Sequence, residues 1–350
     1  MNSLAGYNVL EISRYPAGAI LGMILADAGA SVSKIIFPDI DPAEETVEFS
    51  VWNRGKNILE ADIFNDPGAL INIFEMSTTT DIVIECLDPN EIENLSLTYK
   101  SLEGEAIVVS LPCFPPGHTL DFLPPIEEIA SASSGIYSLN PAGRVPVDGE
   151  GPSFHGLYYS SSIAAMTASS AVLGALIQKT KTGLGQQVFV PLHDSMYQGM
   201  GGHLIRHSKR SEGRQVSHPA VGRAYKCKDG KWLNINMSHP RFLEPFLKSI
   251  DRLEWFKELS DVEKLLSYPD HLHVWKEKFN SIWKSKTSKE WEDQMGEIGV
   301  PGSVSRTIEE WIKEDQALIS GAIIDIEDPY FGNMKQPGKL VQNIEKEGVN

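Results

Sequence analysis

At 350 residues the chain is long enough to bury a large core and to form two domains, or one with a substantial insertion, and its 41% hydrophobic and 22% charged residues are an ordinary globular mixture. A formal net charge of −16 argues against nucleic acid and anionic membrane surfaces, which call for basic patches, and no apolar run approaches the roughly 18 residues of a membrane span. The opening MNSLAGYNVLEIS enters a strand pattern with no basic segment and apolar run before it, and Cys86, Cys113 and Cys227 are far apart and odd in number, so the expectation is a cytoplasmic protein without a disulfide framework or a zinc site.

Residues 9–13 read as a short apolar strand, 18–28 (GAILGMILADA) as a helix closed by Gly29, and 32–37 as a second strand. This β-α-β opening predicts a Rossmann-like layout, but it lacks the GxGxxG fingerprint of a dinucleotide site; GLG at 183–185 follows a helix and precedes a strand, the reverse of the required context. A polar, basic turn WNRGK at 52–56 leads into a strand at 58–61, and Asp66-Pro67-Gly68 starts a helix. The nearly continuous apolar runs 81–86 and 106–111 have the pattern of parallel strands covered on both faces. An irregular, Pro-rich stretch at 112–125 precedes a helix at 126–137.

Residues 160–181 mix Ala164, Ala165, Ala168, Ser169, Ser170, Gly174 and Ala175 with larger apolar side chains, the composition of a buried helix packed closely on neighbouring backbone. Lys179 and Lys181 suit the negative end of its dipole, Gly183 can close it in the left-handed conformation, and 187–192 reads as a strand. A linker-like stretch at 207–219 follows, then a hairpin at 225–237 turning on Asp229-Gly230. Charged helices are predicted at 240–250, 272–284 and 288–297, the last with Thr287 and Glu290 as a capping box, then strands at 299–304 and 322–327 and a Gly/Pro-punctuated return at 328–340. The fold class is therefore α/β: a Rossmann-like large domain with a parallel sheet over 1–205, completed by 320–350, and a smaller α+β domain over 220–315.

Three constellations invite chemistry. His193-Asp194-Ser195 contains the residue types of a triad, but adjacent residues do not normally point at one another, and triads are assembled from distant segments. His203 and His207 share a helical spacing without the glutamate or third ligand of a zinc motif, so no metal site is expected. Asp148 and Glu150 stand in a Gly-rich loop and read as solvated.

The small-residue helix running into KTGLGQQVFVPLHDS resembles the core signature of the family III CoA-transferases, and the NRGK turn before LEADI and the AG of Ala17 and Gly18 extend the resemblance over most of the chain. The resemblance implies an interlocked dimer in which each chain threads a ring made by the other. It also implies an aspartate at the helix start that attacks an acyl thioester, giving a mixed anhydride and then an aspartyl-CoA thioester. Here Ser160 or Ser161 holds that position, and a serine without an activating base keeps the helix cap but not the chemistry. Phe37 and Asp88 stand where the family offers arginines to CoA, and the glycine-rich loop corresponds to 213–219 with one glycine. Arg14, Ala17, Gly18, Arg54 and Lys56 remain as candidate CoA contacts, although a backbone packing role would suffice for Ala17 and Gly18. Where the racemases carry a histidine and an acid, this chain has Ile126 and Glu127, so racemase chemistry is not expected.

The reading that follows from the missing aspartate is a non-catalytic subunit of a CoA-transferase, acting on a CoA thioester with no permanently bound cofactor and with a catalytic paralogue as partner in a hetero- or homodimer. Two alternatives stay open: an active transferase or lyase-like enzyme with a displaced carboxylate, and a stand-alone acyl-CoA-binding or regulatory protein.

Overall fold

The computed structural model describes residues 3–38, 47–95, 104–138, 152, 154, 156–204, 218–262, 265 and 269–339. The chain divides into two compact units, Met1–Ile205 with Gln316–Asn350, and Arg206–Asp315.

In the first unit six strands form one parallel sheet: β1 (Asn8–Ser13), β2 (Ser31–Ile36), β3 (Asn57–Glu60), β4 (Ile82–Cys86), β5 (Ile107–Ser110) and β6 (Gln186–Phe189), in the order β3-β2-β1-β4-β5-β6. That order is the doubly wound Rossmann arrangement, so the α/β class read from the apolar runs holds. The central strands are apolar on both faces because both are covered. Val9, Ile82, Ile84, Ile107 and Val109 face helix α1 (Pro16–Asp27) and the long helix that ends at Thr182, while Leu10, Ile12, Val83 and Val108 face Ile73 and Leu95 of the opposite layer.

Among the described residues the helices of the first unit before the return are α1, α2 (Val47–Asn53), α3 (Pro67–Thr78), α4 (Pro89–Leu95), α5 (Glu127–Ser134), α6 (Tyr159–Thr182) and α7 (Leu192–Leu204). Helix α6 ends at Gly183 in the left-handed conformation, φ 76°, with Lys179 and Lys181 in its last turn. By length and composition it is apolar enough to cross a membrane, although Ser, Thr, Gln and Lys interrupt its apolar runs. Ala164, Ala165, Ala168, Val172, Ala175 and Leu176 nevertheless place its buried side in the core of this unit. Two differences from the sequence reading stand out. The strand expected to reach residue 192 stops at Phe189, and Leu192 instead begins α7; α2 forms where the sequence shows only the approach to a polar turn. A return hairpin of β10 (Ile323–Asp328) and β11 (Gly332–Pro337) closes the unit; Ser50 hydrogen-bonds Asp328 within it.

The second unit carries an antiparallel sheet of β7 (Gly222–Lys226), β8 (Trp232–Asn236) and β9 (Gly302–Val304). Its helices pack an aromatic core in which Phe246 stacks on Trp283 at 5.0 Å and Trp291 meets Trp283 edge-on at 4.8 Å. The capping box is present: the Thr287 hydroxyl accepts from the Glu290 N–H at 3.3 Å, and Glu290 accepts from the Thr287 N–H at 2.8 Å.

Candidate functional site

Helix α6 starts at Tyr159, and its N-cap, Tyr158, offers no side-chain acceptor, so the first N–H groups need a partner from elsewhere. Glu127, in the first turn of α5, supplies it. One carboxylate oxygen accepts from the Ser160 N–H at 2.9 Å and the other from the Ser161 N–H at 2.8 Å. The Ser131 hydroxyl donates a third hydrogen bond to Glu127 at 2.7 Å, and its oxygen lies 3.4 Å from the Ser160 hydroxyl. Ser131, Ser160 and Ser161 are fully buried and Glu127 is 4% exposed, so a negative charge is held at the positive end of the helix dipole out of water. The Ser161 hydroxyl, by contrast, has no hydrogen-bond partner among the described residues.

Neighbouring groups register the buried carboxylate. The Cys113 thiol is pushed up to about 12, first by burial and then by the charge on Glu127. Tyr137 is raised for the same two reasons, so neither thiolate nor phenolate is available beside the helix start near neutral pH. Among the described residues, neither Ser160 nor Ser161 hydrogen-bonds an imidazole or other base that would activate it as a nucleophile. The sequence placed Glu127 in an acid's register without revealing this capping role.

The five candidate CoA contacts lie along or beside α1, each engaged within the fold. Arg14 follows β1 and donates from Nε to Glu91 at 2.8 Å, its guanidinium 4.0 Å from the centre of the Phe37 ring. Ala17 is fully buried in the first turn of α1, and a Cβ on Gly18 would stand 2.6 Å from Ser13 Cβ and 2.8 Å from Cys86 Cβ. Glycine there lets α1 lie directly on the ends of β1 and β4. Arg54 pairs with Asp27 at 2.6 Å and donates to the carbonyls of Pro337 and Gly338 at 2.9 and 3.1 Å, bracing the return hairpin against the end of α1. Lys56 is wholly buried: its ammonium lies 2.6 Å from Glu11 and donates to the Ala19 carbonyl at 2.8 Å.

Lys56 belongs to a buried ionic cluster. Glu11 also pairs with Lys34 at 3.0 Å and accepts from the Ser13 hydroxyl at 2.6 Å. Burial opposes ionisation of Glu11, but Lys34 and then Lys56 outweigh it and hold the carboxyl below its ordinary range. Burial pushes the Lys56 ammonium down to about 8. A Cβ on Gly22 would fall 1.9 Å from the Glu11 carboxylate, so the α1 glycine makes the space this cluster occupies.

His193 does meet Asp194, Nδ1 to Oδ1 at 3.0 Å, contrary to the expectation for adjacent residues. Ser195 turns away and donates to the Pro191 carbonyl at 2.7 Å, so the three form no triad. The His203 and His207 side chains, Asp148, Glu150 and residues 213–217 lie outside the described residues.

Comparison with known proteins bears on what this site belongs to. The family model described as CoA-transferase family III matches residues 4–349. The CoA-transferase/lyase DddD of Marinomonas sp. (strain MWYL1) is 30% identical, aligned to 97% of this chain but 46% of its own length, so the chain spans less than half of that relative. The human succinyl-CoA:glutarate CoA-transferase is 24% identical over 97% of this chain and 80% of its own. Among solved structures, Rv3272 from Mycobacterium tuberculosis superposes with a TM-score of 0.82 at 19% identity, covering 98% of this chain and 93% of that one. A CAIB/BAIF family protein from Brucella suis gives 0.72 at 20% identity, covering 97% and 96%.

Proposed function

The chain belongs to CoA-transferase family III, and from that premise we propose that it is a subunit of an enzyme that moves CoA between carboxylic acids while contributing no nucleophile of its own. The observation that carries this reading is the start of α6, where Ser160 and Ser161 are fully buried and their N–H groups are taken by Glu127. An ionised carboxylate attacks a thioester carbonyl without first losing a proton, whereas a serine hydroxyl needs a base and would form a less reactive ester. The carboxylate present is directed into the helix, with both oxygens bound to backbone, rather than toward an incoming carbonyl.

The partner in this proposal is a paralogous chain with an aspartate at its helix start, joined with this one in an interlocked dimer. That aspartate would attack the donor thioester and expel CoA thiolate, which returns to the aspartyl carbonyl of the mixed anhydride as the donor acid leaves. The acceptor carboxylate then displaces the thiolate from the aspartyl-CoA thioester, and the thiolate attacks the acceptor carbonyl of the second anhydride and frees the aspartate. Support comes from the first relative, whose name carries transferase and lyase activities and more than half of whose length lies outside the match, space within one polypeptide for a second module. A succinyl donor is in keeping with the name of the human relative, and a substituted succinate is the acceptor proposed.

Co-expression with such a paralogue tests the reading. The mixed oligomer should transfer CoA, lose that activity when the partner's aspartate is changed, and keep it with Ser160→Ala or Ser161→Ala here. Glu127 gives the displaced-carboxylate alternative its one specific support, because it is an acid at the helix start. Transfer by the homogeneous protein that disappears in Glu127→Gln would establish that alternative instead.

A further inference from the structure

In a sheet of this order the connections from β1 and β4 leave in opposite directions, and ligands of such sheets enter the crevice outside the carboxyl ends of those two strands. In this chain that crevice is crossed by its own side chains. Tyr15, after β1, donates its hydroxyl to Asp88, after β4, at 2.6 Å, and Arg14 Nε donates to Glu91 at 2.8 Å. The acids are held together: the second oxygen of Glu91 accepts from the Asp88 N–H at 3.2 Å, so both belong to the turn that opens α4. The Arg14 N–H also donates to the Cys86 carbonyl at 3.0 Å, tying the two strand ends by backbone.

Aromatic rings cover the arginine. Its guanidinium lies 4.0 Å from the Phe37 centroid and 5.5 Å from that of Phe64, and the rings stack on each other at 5.4 Å. A phosphate-bearing ligand entering here would face two carboxylates, and could engage Arg14 only by drawing it from Glu91 and Phe37 and leaving that acid without its partner. Tyr15 is raised above its ordinary range, by burial and then by its hydrogen bond to Asp88, so its proton stays in the link at working pH.

We propose that the Tyr15–Asp88 and Arg14–Glu91 links are specificity-determining latches that close the switch-point crevice of this chain to coenzyme A. The choice of coenzyme A rests on the family reading above, and the partner's pocket then holds the nucleotide end of the substrate. The latches themselves are independent of any partner, so a test on the homogeneous chain separates this inference from the question of catalysis.

The experiment is calorimetric titration of coenzyme A into the wild-type chain, into Tyr15→Phe combined with Glu91→Gln, and into Asp88→Asn alone, with circular dichroism to confirm the fold. The wild type should bind more weakly than about 1 mM, and the double variant should gain at least roughly tenfold. Asp88→Asn, which removes one repelling charge with little change of shape, should gain in the same direction and decides the matter if the double variant does not fold. Micromolar binding by the wild type, or no gain in folded variants, would overturn the proposal.

Discussion

The starts of α6 and α1 both lack a side-chain cap from their own N-cap residue, and acids lie beside both, yet the two regions use them differently. At α6 a single carboxylate, Glu127, points into the helix and binds two backbone N–H groups and a hydroxyl. At α1 the acids Asp88 and Glu91 stay across the crevice, held by Tyr15 and Arg14, while deeper in the layer Glu11 is neutralised by two lysines. A carboxylate satisfied by backbone dipoles depends on one helix staying in place; carboxylates satisfied by hydroxyls and cations depend on several side chains. In both regions the acids are engaged by the protein's own groups.

The largest expected effect comes from breaking the α1 side. Lys56→Met leaves Glu11 with a single lysine in a site closed to water, and should cost about 3–5 kcal/mol in urea unfolding. A loss below about 1 kcal/mol would mean that the cluster relaxes without its second cation.

Glu85 sharpens the contrast, since it is a buried acid on β4 with no ion pair among the described residues: burial raises it to about 7, with the Ser110 hydroxyl pulling the other way. Its folded pKa lies above the unfolded value of 4.5, so the folded state holds the proton longer and stability falls as pH rises from about 4.5 to about 7. Glu85→Gln should remove that fall, worth about 3 kcal/mol, and flatten the unfolding free energy between pH 5 and 8. An unchanged pH profile would place the titration elsewhere.

On the α6 side, Glu127→Gln keeps one acceptor for the serine N–H groups but turns a donor toward the other, and should cost about 2 kcal/mol with faster amide exchange at Ser160 and Ser161. The smallest effect is expected from Tyr15→Phe, about 1 kcal/mol, since its hydroxyl makes one partly exposed hydrogen bond.

Beyond the apolar runs that gave the parallel sheet, the legible parts of the fold are those whose partners are close in sequence. The Thr287–Glu290 box spans three residues, and α6 announced itself through its alanines, two terminal lysines and Gly183. Helix α7 was missed because LHDSMYQGMGGHL carries three glycines, weak helix formers, and is held by packing against α5 and α6. The site was less legible. Glu127 reaches Ser160 across 33 residues and Arg14 reaches Glu91 across 77, and no local spacing encodes either pairing. The serines at the helix start are visible in the sequence, whereas the carboxylate that binds their N–H groups needed the fold to bring α5 beside α6.

Intact-mass spectrometry of the homogeneous chain, after incubation with succinyl-CoA and rapid acid quenching, tests the central claim most directly. The account predicts an unchanged mass, with no acyl group and no CoA attached. A stable mass increase that maps to Ser160, Ser161 or Glu127, and is lost when that residue is replaced, would contradict it.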